Sequence, residues 1–236
     1  MGIRLHITAE GQTEERFVKN VLAPFLGERE VWVDARCVLT SKHNRGSAEF
    51  RGGWRRTSAY AAAKKDICTW MKEDQNADAR FTTMFDLYAL PSDFPAFTEA
   101  KHESDPYRRV EMLENALADD INGELADTRF VPYIQLHEFE ALILADPEQL
   151  EWEFLEHEAP IRNLVDMVAL EGGNPELIDD GPCTAPSKRI ISEIREYEDK
   201  KATSGPLVAG IIGMKKLRER CRHFADWIEA LAALGQ

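Results

Sequence analysis

The stretch IRLHITAEGQTEERFVKNVL, residues 3–22, predicts a strand, a tight turn and a helix in succession. Its first part, IRLHITA, is rich in β-branched and apolar residues, which is typical of a strand. From Phe17 onward apolar side chains recur at helical spacing, and Thr13 is a candidate N-cap because its hydroxyl can accept from the first turn. Glu10 ends the strand, and Gly11 permits a tight turn with close backbone approach.

The same alternation of strand and helix continues along the chain. Further strands are predicted at residues 31–39, 80–87 and 130–136, and helices at 58–73, with Ala62 facing inward, and at 105–122. Strands that alternate with helices indicate a parallel sheet covered on both faces. We therefore expect a Rossmann-like α/β core at residues 1–146 and a helical C-terminal extension, 147–236, packed on that core.

Composition limits the classes of function. The chain of 236 residues has a formal net charge of −13. This argues against a stand-alone sequence-specific DNA-binding protein, because phosphate contacts dominate nucleic-acid affinity. It is compatible with a metal-dependent nuclease, whose carboxylates need cations before phosphate can approach. The four cysteines show no paired spacing, and neither a signal peptide nor a membrane span is recognisable, so we expect a cytoplasmic protein with no membrane partner.

Acidic residues follow three of the predicted strands. They are Glu10, Asp86, Glu138 and Glu140. In parallel α/β sheets ligands sit beyond the carboxyl ends of the strands, so these carboxylates are expected to converge. Oxygen ligands of this kind bind Mg²⁺ or Mn²⁺, and such an ion can activate water and polarise a phosphoryl group. If the segment after the last strand begins a helix, Glu138 and Glu140 diverge and one of them reaches the metal.

Neighbouring residues have two interpretations each. Glu14 and Glu15 suit the positive end of a helix, and Glu14 is also placed to support the metal ligands. His137 fits a general acid/base or metal ligand, and equally a structural histidine. Lys42, Arg45, Arg55 and Arg56, in a polar loop with Trp54, suit a phosphate backbone or a solvated loop. Lys188 and Arg189 start a helix, where positive charge is unfavourable, which favours a partner or an anion that contacts them.

Several segments carry a family resemblance. AEGQTEERFV (9–18) resembles the TOPRIM motif, in which a glutamate–glycine pair follows the first strand. FTTMFDLYALPSDFP (81–95), RFVPYIQLHEFEALILADPE (129–148), TAPSKRI (184–190) and CRHFADWI (221–228) resemble a bacterial TOPRIM-like group, domain-of-unknown-function family 4276. The resemblance spans nearly the whole chain. It implies a Rossmann-like core with a metal-dependent phosphodiester site.

The resemblance also implies roles for individual residues. Glu10 would be the general acid/base, and Asp86 the first acid of an Asp-x-Asp metal motif. Tyr88 stands where that motif has its second acid. Glu138 or Glu140 would then supply the missing carboxylate, with Gly11, Glu14 and Tyr88 around the ligands.

These observations lead to a metal-dependent nuclease as the principal hypothesis, acting on DNA or RNA. No P-loop motif is present, and related TOPRIM nucleases are fused to or encoded beside ATPases, so the resemblance implies a separate ATPase partner and a role in phage defence. A non-catalytic module that binds an ATPase or nucleic acid is the alternative, with Tyr88 marking a decayed site. A third hypothesis is a phosphotransfer or phosphohydrolase activity on small molecules.

Overall fold

The computed structural model describes residues 2–38, 59–178 and 181–235. Its sheet has five strands, β1 (Ile3–Ala9), β2 (Val31–Cys37), β3 (Ala79–Asp86), β4 (Phe130–Val131) and β5 (Ile134–Gln135). The strands run in the order β2-β1-β3-β4, and β5 pairs with β3 further along the same strand. Every one of these pairings is parallel.

Helices connect and cover the strands. The first half of the chain contains α1 (Gln12–Phe17), a π-helical turn (Val18–Leu22), α2 (Ala23–Gly27), α3 (Ala59–Glu73), a 3₁₀ turn (Leu87–Ala89), α4 (Phe97–Ala100) and α5 (Pro106–Leu125). The second half contains α6 (Glu140–Ile143), a 3₁₀ helix (Pro147–Trp152), α7 (Glu158–Leu170), a 3₁₀ turn (Pro175–Leu177), α8 (Pro186–Glu193), α9 (Tyr197–Arg220) and α10 (Arg222–Ala233). The predicted α/β class, with a parallel sheet flanked by helices and further helices at the C-terminus, is confirmed.

The two faces of the sheet have separate hydrophobic cores. One core joins Leu5 and Ile7 of β1 to α1 and the C-terminal helices. The other joins Phe81 and Phe85 of β3 to α3 and α5. Alternate residues of a strand point to opposite faces, which explains how one sheet supplies both cores. The C-terminal helices thus share a core with β1, and the division at residue 146 stays a prediction.

The sequence located β1 to the residue, but two local predictions were wrong. Helix α1 begins at Gln12 with Gly11 as its N-cap, and the Glu14 carboxylate accepts from the Gly11 N–H at 2.8 Å, so Thr13 is not the cap. Gly11 has a negative φ of −148° in extended backbone, a conformation open to other residues. In α3, Ala62 is exposed, and the neighbouring Ala63 is buried instead.

The predicted strand at 130–136 is interrupted. Pro132 lies between β4 and β5 and has no N–H to donate to the sheet. At this gap the Thr83 side chain forms the hydrogen bonds that join the chain to β3. Its hydroxyl donates to the Tyr133 carbonyl at 2.9 Å and accepts from the Tyr133 N–H at 3.0 Å. The chain therefore stays beside β3 until the acidic segment that follows β5.

No helix within the described ranges is both long enough and apolar enough to cross a membrane.

Candidate functional site

Glu10 and Asp86 lie side by side at the carboxyl edge of the sheet. Strands β1 and β3 are paired with Ala9 opposite Met84, so the residues that follow both strands leave the sheet together. The Glu10 N–H donates to the Met84 carbonyl at 2.9 Å. In return the Asp86 N–H donates to Glu10 Oε2, also at 2.9 Å. Parallel pairing has thus brought together the two acids that the sequence placed at strand ends.

Glu138 and Glu140 are both buried, and each is held by an element of the C-terminal half. Glu138 Oε1 accepts from the Ser187 N–H at 2.6 Å, in the first turn of α8, where the helix dipole favours a negative charge. Glu140 Oε1 accepts from the Tyr197 hydroxyl at 3.1 Å and lies 3.6 Å from Lys201 Nζ, both on α9. The two glutamates therefore have different partners.

Glu14 belongs to the same group of acids. It is buried while it caps Gly11, and burial together with the nearby Glu10 raises its pKa to about 8. Burial also raises the pKa of Asp86 well above its ordinary value, and the neighbouring charges act in the same direction, from Glu14, Glu10, Glu138 and Glu140. The pKa of Glu140 is likewise raised, by burial and then by Glu138. We call Glu10, Glu14, Asp86, Glu138 and Glu140 the acidic cluster.

His137 connects the acidic cluster to the loop before α8. It has a positive φ of 60°, which turns the chain sharply between β5 and Glu138. Its buried ring places Nε2 at 2.9 Å from the Glu176 carbonyl, an acceptor, so Nε2 carries the proton. The His137 carbonyl accepts from the Tyr88 N–H at 2.8 Å. These bonds give His137 a structural function, and its proposed catalytic function stays a prediction.

The acidic cluster is not a preformed metal site. Within the ranges that the structure describes, no group of three or more His, Cys, Asp or Glu residues is arranged to hold a metal ion. The hydrogen bonds of Glu10, Glu138 and Glu140 go to three separate donors. Asp86 Oδ1 differs, because it is buried and has no hydrogen-bond partner among the described residues. Carboxylate oxygens and this unsatisfied atom fit a hard cation such as Mg²⁺, while the set of ligands stays a prediction.

Two residues of this region were missed by the sequence analysis. Tyr197 and Lys201 are four positions apart, so they share one face of α9 and both reach Glu140. The helix approaches closely because Gly205 has no side chain: a Cβ there would lie 3.1 Å from the Tyr197 hydroxyl oxygen and 3.3 Å from Phe139 Cε1. No strand-end pattern marks these residues, and only the i, i+4 spacing of Tyr197 and Lys201 hints at a shared face.

The predicted nucleic-acid contacts are placed only in part. Lys42, Arg45, Arg55 and Arg56 lie outside the described residues, as does Trp54. Lys188 is exposed in the first turn of α8, directly after Ser187. Arg189 donates through Nε to the Thr184 carbonyl at 2.8 Å. Tyr88 is 43% exposed in the turn that follows Asp86.

The raised pKa of Glu14 predicts that the metal-free protein loses stability as the pH rises. A folded pKa of about 8 against an ordinary value of 4.5 means that the folded state holds a proton that the unfolded chain releases. The stabilisation is complete below about pH 4.5 and is lost as the pH rises through about 8. We expect the melting temperature in EDTA to fall between pH 5 and 8 and to fall less in Glu14→Gln, which keeps an oxygen for the Gly11 N–H. Parallel curves for the two proteins would contradict this prediction.

Comparison with known proteins identifies one family. The family model described as domain of unknown function (DUF4276) matches residues 9–232. Comparisons with curated proteins and with solved structures give no match.

Proposed function

The chain belongs to the DUF4276 family, and we propose that it is a metal-dependent nuclease of the TOPRIM type, which hydrolyses phosphodiester bonds of nucleic acid. The observation that carries this proposal is the position of Glu10 and Asp86. They stand at adjacent carboxyl ends of a parallel sheet, where such folds bind their ligands, and Asp86 Oδ1 is buried with no partner among the described residues.

The charge of the acidic cluster supports a cation as its ligand. Burial raises the pKa of Asp86, and the field of four other carboxylates raises it further. The described contacts bring one ammonium group to the cluster, that of Lys201 beside Glu140. A bound Mg²⁺ or Mn²⁺ would offset this excess of negative charge and would supply an activated water at neutral pH. Asp86, with Glu138 or Glu140, would hold the ion, and Glu10, which accepts from the Asp86 N–H, would lie beside it.

The chain's own residues would then perform the remaining steps. Glu10 would accept the proton of the attacking water and return a proton to the leaving oxygen, as a general base and acid. Lys201 would stabilise the negative charge that develops on the phosphate in the transition state. His137 would position the loop, because its backbone and ring join Tyr88 to the segment before α8. A separate ATPase subunit and a role in phage defence belong to the same proposal, since the sequence has no P-loop of its own.

The test is a cleavage assay on plasmid DNA, linear duplex, single-stranded DNA and RNA. Each substrate is incubated with Mg²⁺, with Mn²⁺ and with EDTA. We expect cutting with either metal and none in EDTA. Absence of cutting on every substrate, with no divalent-ion binding by calorimetry, would instead favour the non-catalytic interaction module, for which Tyr88 in the second acid position is the supporting observation. Hydrolysis of nucleotides without cutting of polymers would favour the small-molecule phosphohydrolase.

Replacement of Lys201 should reduce cleavage strongly. We expect Lys201→Ala to lower kcat by about 10- to 1,000-fold, since a charge aimed at the transition state is lost from a largely buried site. Lys200→Ala is the matched control, because the neighbouring lysine is exposed and lies over the Phe154 ring instead. Equal effects of the two substitutions on kcat would argue against a specific function for Lys201.

A further inference from the structure

A small cavity is lined in part by Leu87 and Tyr88, the two residues that follow Asp86 in the sequence. Its volume is about 180 Å³, and its apolar lining comes from Leu87, Leu90, Phe97 and Leu113. Leu87 and Tyr88 directly follow Asp86, and the Tyr88 N–H donates to the carbonyl of His137, the residue before Glu138. Part of the cavity wall is therefore continuous with Asp86 along the chain and is hydrogen-bonded to the segment that carries Glu138.

The lining combines an aromatic ring with positive charge. Tyr88 is 43% exposed and lines the cavity. Lys101 and Arg109 line the same cavity, on a protein whose formal net charge is −13. An aromatic side chain stacks on a base of any sequence, and neighbouring cations attract the phosphate beside it.

The size of the cavity limits what it can hold. Sites for whole drug-sized ligands usually enclose about 300–1,000 Å³. A cavity of about 180 Å³ fits a smaller planar group, such as a single base ring, while the sugar and phosphate stay outside.

We propose that this cavity is the subsite for one unpaired base of a single-stranded nucleic acid, with the base stacked on Tyr88 and the adjoining phosphate near Lys101 and Arg109. This inference rests on the proposed nuclease function. It specifies the substrate as a single-stranded nucleic acid, in which an unpaired base can unstack from its neighbours and enter the cavity. It also gives Tyr88, which stands in place of an acid, a substrate-binding function.

Fluorescence anisotropy of a labelled single-stranded oligonucleotide, with Ca²⁺ in place of Mg²⁺, tests the subsite. Tyr88→Ala should weaken binding by roughly 5- to 150-fold, the effect of losing one stacked base, and Tyr88→Phe should bind as the wild type does. Trp152→Ala is the matched control, because Trp152 is an exposed aromatic residue between two glutamates on another 3₁₀ helix. On an oligonucleotide of abasic sugars, the difference between wild type and Tyr88→Ala should vanish.

A second variant tests the cations. Lys101→Glu should weaken binding and reduce the slope of log affinity against log salt by about 1. Lys72→Glu carries the same change of charge at the end of α3, before β3 begins, and should leave the slope nearly unchanged.

The outcomes separate this inference from the nuclease proposal. Wild-type binding to no single strand, or equal binding by wild type and Tyr88→Ala, would overturn the subsite even if the protein cuts DNA or RNA. Binding that depends on Tyr88 without cutting in Mg²⁺ or Mn²⁺ would support the subsite and reject the nuclease.

Discussion

Replacing Asp86 with asparagine is expected to abolish metal-dependent cleavage and, in the same protein, to raise thermal stability in the absence of metal. Burial and then four acidic neighbours raise the pKa of the Asp86 carboxyl group, so its charged form is unfavourable at neutral pH. Asparagine keeps the shape and one oxygen but carries no charge. The variant would thus lose a metal ligand. It would also lose the electrostatic repulsion between this carboxylate and its four acidic neighbours.

The two effects are measured separately. We expect the cleavage rate in Mg²⁺ to fall by about 100-fold or more. The melting temperature in EDTA should rise by several degrees, since about 1 kcal/mol corresponds to roughly 2–4 °C in a chain of this length. Mg²⁺ should raise the melting temperature of the wild type and have little effect on the variant, because a ligand stabilises only the state that binds it.

Asp93→Asn provides the control for Asp86→Asn. Asp93 is exposed in the loop after β3, so its replacement makes the same chemical change outside the acidic cluster. Neither cleavage nor melting temperature should change appreciably. Undiminished cleavage by Asp86→Asn would remove Asp86 from the proposed ligands, and a lower melting temperature would show that its charge stabilises the fold.

Glu176→Ala should destabilise the protein by about 3 kcal/mol or more, which corresponds to roughly 6–12 °C in melting temperature. Glu176 is fully buried. Its carboxylate accepts from the backbone N–H groups of His223 and Phe224, each at 3.0 Å, and from the Tyr107 hydroxyl at 3.1 Å. Alanine would leave the first N–H groups of α10 buried without an acceptor and would open a cavity around them.

Glu176→Gln and Glu171→Ala complete this measurement. Glutamine keeps one acceptor oxygen and the volume, so its cost should be smaller than that of alanine. Glu171 is an exposed acid in the turn after α7 and should be replaceable with little effect. Denaturant or thermal unfolding of the three variants gives the ranking, and a Glu176→Ala protein as stable as Glu171→Ala would contradict the function of Glu176 as a buried cap.

The sequence predicted those features that depend on local pattern. Strand β1 was placed to the residue because its apolar run ends at an acid and a glycine, and that same ending identified Glu10. Asp86 followed from a charge at the end of an otherwise apolar strand. Parallel pairing, which the alternation of strands and helices predicted, then accounts for their proximity. The break at Pro132 was not predicted: residues 130–136 were expected to form one strand, although proline has no N–H to donate in a sheet.

Features that depend on distant contacts could not be predicted in this way. Tyr197 and Lys201 are indistinguishable from other polar residues of a charged segment until α9 is placed against Glu140. Glu176 looks like a surface acid in a loop rich in glycine and proline, and only the fold buries it against α10. Glu14 was interpreted as a residue of the helix start, which is correct, but its burial beside Glu10 required the packing of the whole edge.

The contacts of Glu138 and Glu140 have a consequence for the order in which a new chain becomes complete. Synthesis proceeds from the N-terminus, so all five acids leave the ribosome before Ser187, Tyr197 and Lys201 do. A nascent chain that has been synthesised as far as α6 contains all five residues of the acidic cluster. It still lacks the groups that contact Glu138 and Glu140, which are the Ser187 N–H, the Tyr197 hydroxyl and the Lys201 ammonium group. A polypeptide released early would lack those groups as well. Assembly of the complete acidic cluster is therefore expected to wait until α9 has been synthesised and packed against α6.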